Sequence, residues 1–152
     1  MALSDQVQKE LMAAMKAREE LRAGVLRMLK TALKLKEVEK TRPLEPAEDV
    51  QVLQTLVKQR RESIEQFEKG GRQDLAEQEA REIAVLETYL PAAPSDAELD
   101  AAIAAAIAET NATSPKQMGG VIKAARARLE GKAIDGKLLS DRVRQRLEKP
   151  GA

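Results

Sequence analysis

The chain of 152 residues contains no cysteine and no histidine. The first absence excludes disulfides, thiolate metal sites and cysteine nucleophiles, and it fits a reducing compartment. The second removes the commonest general base and the commonest metal ligand. Tryptophan is absent too, and Phe67 and Tyr89 are the only aromatic residues. A core without rings has to be assembled from Leu, Ile, Val, Met and Ala. Leu, Met and Ala, together with Glu, Lys, Arg and Gln, favour helix. The composition therefore predicts an all-α protein. It also leaves no platform on which the bases of a single strand would stack. No stretch is apolar for long enough to span a bilayer. The opening "MALSDQVQKE" has neither the basic region nor the apolar region of a signal peptide. The expected location is cytoplasmic, and no metal, cofactor or membrane is expected to take part.

What is present is charge, unevenly placed. The formal net charge is +1. Residues 91–110 carry four acids and no base, whereas residues 111–147 carry nine bases against three acids. A polyanion, if one binds, is expected on the C-terminal third.

Apolar periodicity divides the chain into helices. Ser4 is expected to cap a first helix bearing Val7, Leu11 and Met15, with a break or bend near Arg18–Glu19. A second helix spans about Glu20 to Lys40, with Leu21, Val25, Met28, Leu29, Ala32 and Leu35 as its inward stripe. "TRPLEP" ends it, because Pro43 and Pro46 cannot continue a helix. A third helix runs from Pro46 to about Lys69, with Gly70 as its left-handed cap. A fourth runs from about Asp74 to Leu90. "PAAPSD" then marks a boundary. Beyond it, Ser95 and Glu98 form the pattern of a capping box for a helix reaching about Thr110. Ser114–Pro115 opens another helix, expected to end at Gly131, and Asp135 caps the last. The predicted architecture is an N-terminal unit of long antiparallel helices, a helical hairpin, over residues 1–91. A C-terminal three-helix bundle follows over residues 95–152.

"GKAIDGKL", Gly131 to Leu138, spells most of a phosphate-binding loop but puts Leu138 where Ser or Thr would hold magnesium. A P-loop also follows a β-strand, and "VIKAARARLE" is helical in pattern. The segment is therefore expected to be a turn between helices, with Leu138 and Leu139 entering the core. Lys132 and Lys137 remain able to meet a phosphate as point charges. Gly119 and Gly120 fall inside a helical pattern, where each costs about 0.5–1 kcal/mol against alanine. Close packing on the alanine-rich helix is the expected compensation. A backbone bared to a ligand or RNA strand is the alternative.

Three segments carry a resemblance. "RMLKTALKLKEVEK" (27–40), "KQRRESIEQFEKGGRQDLAEQEAREIAVLETYLP" (58–91) and "MGGVIKAARARLEGKAIDGKLLSDRVRQRL" (118–147) look like the YqeY family. That family is related to the C-terminal tail domain of GatB, a subunit of the glutamine-dependent amidotransferase acting on mischarged tRNA. The resemblance implies the same hairpin-and-bundle fold. It further implies contact with tRNA and an association with carbon–nitrogen ligase chemistry that uses glutamine as amide donor. Two positions depart from the family pattern, an additional Ile134 and a second glycine in Met118-Gly119-Gly120-Val121.

The residues themselves supply no catalytic constellation for that chemistry. Cysteine and histidine are missing, no serine sits in a Gly-x-Ser-x-Gly elbow, and Glu77, Glu79 and Glu82 look like salt-bridge partners for Arg81 and Lys69. The expected role is a tRNA-binding accessory. Its candidate contacts are Lys116, Lys123, Arg126, Lys132, Lys137, Arg142 and Arg146, with Gly119, Gly120, Gly131 and Gly136 as points of close backbone approach. Lys58, Arg60 and Arg61 form a second candidate surface. The expected partners are tRNA and an amidotransferase or aminoacyl-tRNA synthetase component. A helical protein-interaction module without RNA binding is the competing expectation.

Overall fold

A computed structural model describes residues 2–149. Residue 1 and residues 150–152, the outer ends of the two expected units, lie outside the described residues. Within those residues the chain is all-helical, with seven α-helices, one 3₁₀ turn and no strand. It divides into two units, one ending at Leu90 and the other beginning at Pro91.

The first unit contains α1 (Leu3–Lys16), α2 (Glu20–Lys40), α3 (Pro46–Lys69) and α4 (Gln73–Glu87). Helix α1 packs on α2 and α3 packs on α4, while α2 touches both α3 and α4. Two local expectations change and one stands. Ser4 lies inside α1, whose N-cap is Ala2. The break between α1 and α2 is real and centres on Arg18, which adopts φ 58°. Gly70 is not left-handed (φ −85°); the next residue, Gly71, takes that role at φ +72°. Helix α2 ends on Thr41 at φ 57°, and the following loop is tied down electrostatically. Glu48, in the first turn of α3, accepts from the Glu45 N–H at 2.9 Å and pairs with Arg42 at 2.7 Å. Its carboxyl is held at about 2, chiefly by the bond from Arg42 and then by the Glu45 N–H.

The core of this unit is aliphatic. Val7, Leu11 and Ala14 of α1 meet Leu26, Leu29 and Leu33 of α2, which join Leu53 and Val57 of α3 and Leu86 of α4. Each fully buried leucine stabilises the fold by about 2 kcal/mol. Met15, Met28 and Leu35, expected in the inward stripes, are instead 51%, 45% and 65% exposed. One charged side chain enters this interior. Arg60 is only 5% exposed and pairs with Glu82 across the α3–α4 contact at 3.5 Å. It also donates to the Leu56 carbonyl and to the Met28 sulfur. Burial, then the neighbouring charge of Glu82, pushes the Glu79 carboxyl up. The acidic row of α4 thus answers a cation from α3 rather than only its own Arg81.

The second unit contains α5 (Asp96–Thr110), a 3₁₀ turn (Pro115–Gln117) leading into α6 (Met118–Arg128), and α7 (Gly136–Glu148). The expected capping box closes α5, with the Glu98 N–H donating to Ser95 Oγ at 3.1 Å and the Ser95 N–H to Glu98 at 3.2 Å. Leu99, Ile103 and Ala106 of α5 pack against Val121 and Ala125 of α6 and Leu139, Val143 and Leu147 of α7. The additional Ile134 is buried in this core, so the α6–α7 loop is anchored by the residue that departs from the family pattern. Leu139 is fully buried, but Leu138, expected beside it, is 42% exposed.

Truncating Arg60 would leave the partly buried Glu82 carboxylate without its partner. Arg60→Ala is expected to destabilise the first unit by about 3 kcal/mol, and the double replacement Arg60→Met/Glu82→Leu to recover most of that loss. Urea unfolding followed by circular dichroism checks both.

Candidate nucleic-acid interface

The seven cations named from the sequence do not form one surface. Lys116 sits in the 3₁₀ turn, and Lys123 and Arg126 lie two and three turns further along the continuing helical path. All three are exposed. On the same helical face lie Gly119 and Gly120, between Lys116 and Lys123, and Ala127, next to Arg126, all exposed. A Cβ built on Gly119 or Gly120 would meet no atom within 4 Å. The expected packing of these glycines on the alanine-rich helix is therefore wrong. The alanines that pack, Ala102 and Ala106, are in the unit-two core, while the glycines face outward. A Cβ on Gly136 would come within 3.1 Å of Arg126 Nη2. That places the Arg126 guanidinium over the start of α7, where Lys137 follows. No ion pair engages Lys116, Lys123, Arg126 or Lys137 among the described residues.

The remaining candidates are occupied or differently placed. Arg142, on α7, donates to Asp100 at 3.1 Å and to Asp96 at 2.9 Å, both on α5. Its charge is spent within the bundle. Arg146 lies one turn on, in a depression of about 430 Å³ that Asp100, Arg142, Glu148 and Lys149 also line. Acids and bases nearly balance there. Lys132 approaches Glu98 at 3.8 Å. The look-alike phosphate loop is a turn. Gly131 takes φ +88°, two residues beyond the Leu129 cap of α6. The N-terminus of α7 is already closed by Asp135, whose carboxylate accepts from the Lys137 and Leu138 N–H groups at 3.0 and 3.2 Å. An incoming phosphate at that helix end would meet a carboxylate. On the first unit, Lys58 and Arg61 are exposed, but the burial of Arg60 removes it from the second candidate surface.

The neighbourhood of Tyr89 was not foreseen. Its hydroxyl donates to Glu10 Oε2 across the first unit. Burial first, and Glu10 second, push the phenol up. A lone tyrosine, one of only two aromatic residues in the chain, is the available signal. Among the described residues no group of three or more acids could hold a metal ion, and no helix is long and apolar enough to cross a membrane.

Replacing Arg142 by alanine is expected to lower the stability of the bundle by about 1 kcal/mol, as for a partly exposed two-acid network. High salt should shrink the difference, as measured by thermal unfolding at two ionic strengths.

Comparison with known proteins follows the same outline. The family described as Yqey-like protein matches residues 4–147. A Kluyveromyces lactis protein named "Altered inheritance of mitochondria protein 41, mitochondrial" is 31% identical over 87% of this chain and 71% of its own length. Proteins of the same name from Lachancea thermotolerans and Eremothecium gossypii are each 34% identical, over 72% and 58% of this chain. The chain spans 60% of the first of these and 49% of the second. The cytoplasmic location expected from the sequence does not stand against relatives that are named as mitochondrial proteins. The lack of cysteine spoke to redox conditions, which do not single out one compartment. With a family match running almost from end to end and a relative matched over most of both lengths, the chain belongs to the YqeY family.

Proposed function

We propose that the chain is a tRNA-binding accessory that holds the RNA backbone on the exposed face of α6. The observation that carries this reading is the combination on one face of three unpaired cations and two open glycines. Lys116, Lys123 and Arg126 supply charge at intervals along the helix, and Gly119 and Gly120 let a phosphate chain lie close between them. Lys137, beside the Arg126 guanidinium, extends the charge toward α7. Such contacts position a nucleic acid without reading its bases. Recognition by shape follows, since no aromatic ring is available in this unit for stacking. The choice of tRNA among RNAs rests on the likeness to the GatB tail. The same likeness supports an association with glutamine-dependent amidotransferase chemistry carried out by a partner.

The test is a titration of the full chain with labelled tRNA at several salt concentrations. Lys123→Ala/Arg126→Ala is expected to weaken binding about tenfold and to make the salt slope shallower by about one to two. Arg142→Ala, whose charge is already neutralised, should leave the slope unchanged. Equal loss in both variants, or no binding by the wild type at low salt, overturns the assignment of this face.

The glycines give a sharper result. Because a Cβ at either position meets nothing, Gly119→Ala and Gly120→Ala should each stabilise the unit, by about 0.5–1 kcal/mol. Both should nevertheless weaken tRNA binding. Unfolding curves and the same titration check the pair of effects, and an undiminished affinity would remove the close-approach role.

A further inference from the structure

Helix α2 carries two apolar stripes, and only one enters the core. Leu26, Leu29 and Leu33 face the core and are fully buried. The second stripe is Gly24, Met28, Thr31, Leu35 and Val38, all exposed. Leu35 and Val38 are 65% and 66% exposed. The spacing is 4-3-4-3, the seam of a coiled coil, sustained for about 21 Å along the helix. Met28 is engaged within the fold by its sulfur, which accepts from Arg60 at 2.9 Å, but nothing within the fold accounts for the exposed Leu35 and Val38. A Cβ on Gly24 would meet no atom within 4 Å, so the glycine serves no internal packing. In mid-helix it costs about 1 kcal/mol against alanine.

The borders of the seam differ in charge. Along one edge lie Arg27 and Lys34, the positions that flank such a seam, with Lys30 behind them; all are exposed, and none has an ion pair among the described residues. On the other edge are Ala32 and Glu39, and Glu39 is already held by Lys36 at 3.4 Å. This pattern selects the occupant. A second copy packed antiparallel would set Arg27 and Lys34 against Lys34 and Arg27. A second copy packed parallel would set Arg27 against Ala32, with no acid to meet it, and only Lys34 against an acid, Glu39, which Lys36 already contacts. Neither satisfies the basic edge.

We propose that the outer face of α2 docks an amphipathic helix of a partner protein, with large apolar residues on its seam and acidic residues on its border. Gly24 and Thr31 provide the recesses for that partner's larger side chains, and Arg27 and Lys34 pair with its carboxylates. The inference concerns the first unit alone and stands or falls independently of RNA binding by α6.

The probes are two helical peptides of three heptads, with leucine on the seam and either glutamate or lysine at both flanking positions. Like charges keep each peptide from pairing with itself. Binding to the full chain is followed by fluorescence anisotropy and by the methyl resonances of Met28, Leu35 and Val38. The acidic peptide is expected to bind at least tenfold more tightly than the basic one, shifting those three methyls. Leu35→Ser/Val38→Ser should weaken it at least tenfold. Arg27→Glu/Lys34→Glu should invert the preference in favour of the lysine peptide. Circular dichroism verifies that these surface variants remain folded. Equal binding of both peptides, no inversion on charge reversal, or no binding up to about 1 mM overturns the proposal. So does sedimentation of the chain alone as a dimer that Leu35→Ser/Val38→Ser dissociates.

Discussion

A chain with one phenylalanine, one tyrosine and no tryptophan must hold itself together with aliphatic side chains on helices. This constraint governs the rest of the structure. Aromatic rings bury large areas from single positions; leucines and alanines do so only in rows. Each helix therefore commits a stripe to its own unit, and each unit closes a core of its own. In the second unit small residues on α5 and α6, Ala102, Ala106 and Ala125, bring the helices close. What is left outside is polar or charged almost everywhere. The exceptions are informative because the cores have already taken what they need.

The charged groups are organised by the same economy of material. Where a cation enters an interior it is met by an acid, as Arg60 is by Glu82. Where α7 leans toward α5, Arg142 draws in Asp96 and Asp100. These contacts absorb part of the basic excess of the C-terminal third. Among the described residues, three of the cations without an ion pair, Lys116, Lys123 and Arg126, lie along the 3₁₀ turn and α6 beside the exposed Gly119 and Gly120, while Lys137 and Arg146 are on α7. Net charge alone would not have distinguished the two groups, since all are Lys or Arg in one basic segment.

Much of the local architecture was legible in the sequence. The limits of α2 and α3, the break at Pro43–Pro46 and the capping box at Ser95–Glu98 follow from rules that act within a few residues. The failures share a cause. Met28 and Leu35 were merged with the core stripe because an apolar residue on α2 satisfies either of two faces, and periodicity does not say which one is covered. The 4-3-4-3 run from Gly24 to Val38 was nevertheless in the sequence as a separable pattern. The pairing of Arg142 is not legible locally, because its partners lie 42 and 46 positions away. The burial of Arg60 is not legible locally either, because it depends on α4 and on the Met28 sulfur. The cost of Gly119 and Gly120 admits two readings in the sequence, a packed neighbour or a bared backbone, and no neighbour lies within 4 Å.

The left-handed residues that end or interrupt the helices have a further consequence. Arg18, Thr41 and Asn111 all occupy φ near 57°, a region where side chains other than glycine are strained by about 1–2 kcal/mol, Asn least and β-branched Thr most. No glycine has been placed at these three stops, although the chain uses one at Gly71 and another at Gly131 for the same geometry. The helix termini thus hold an unspent reserve of stability, separate from both candidate surfaces. An engineer could raise the melting temperature of this protein at its corners without touching either candidate face.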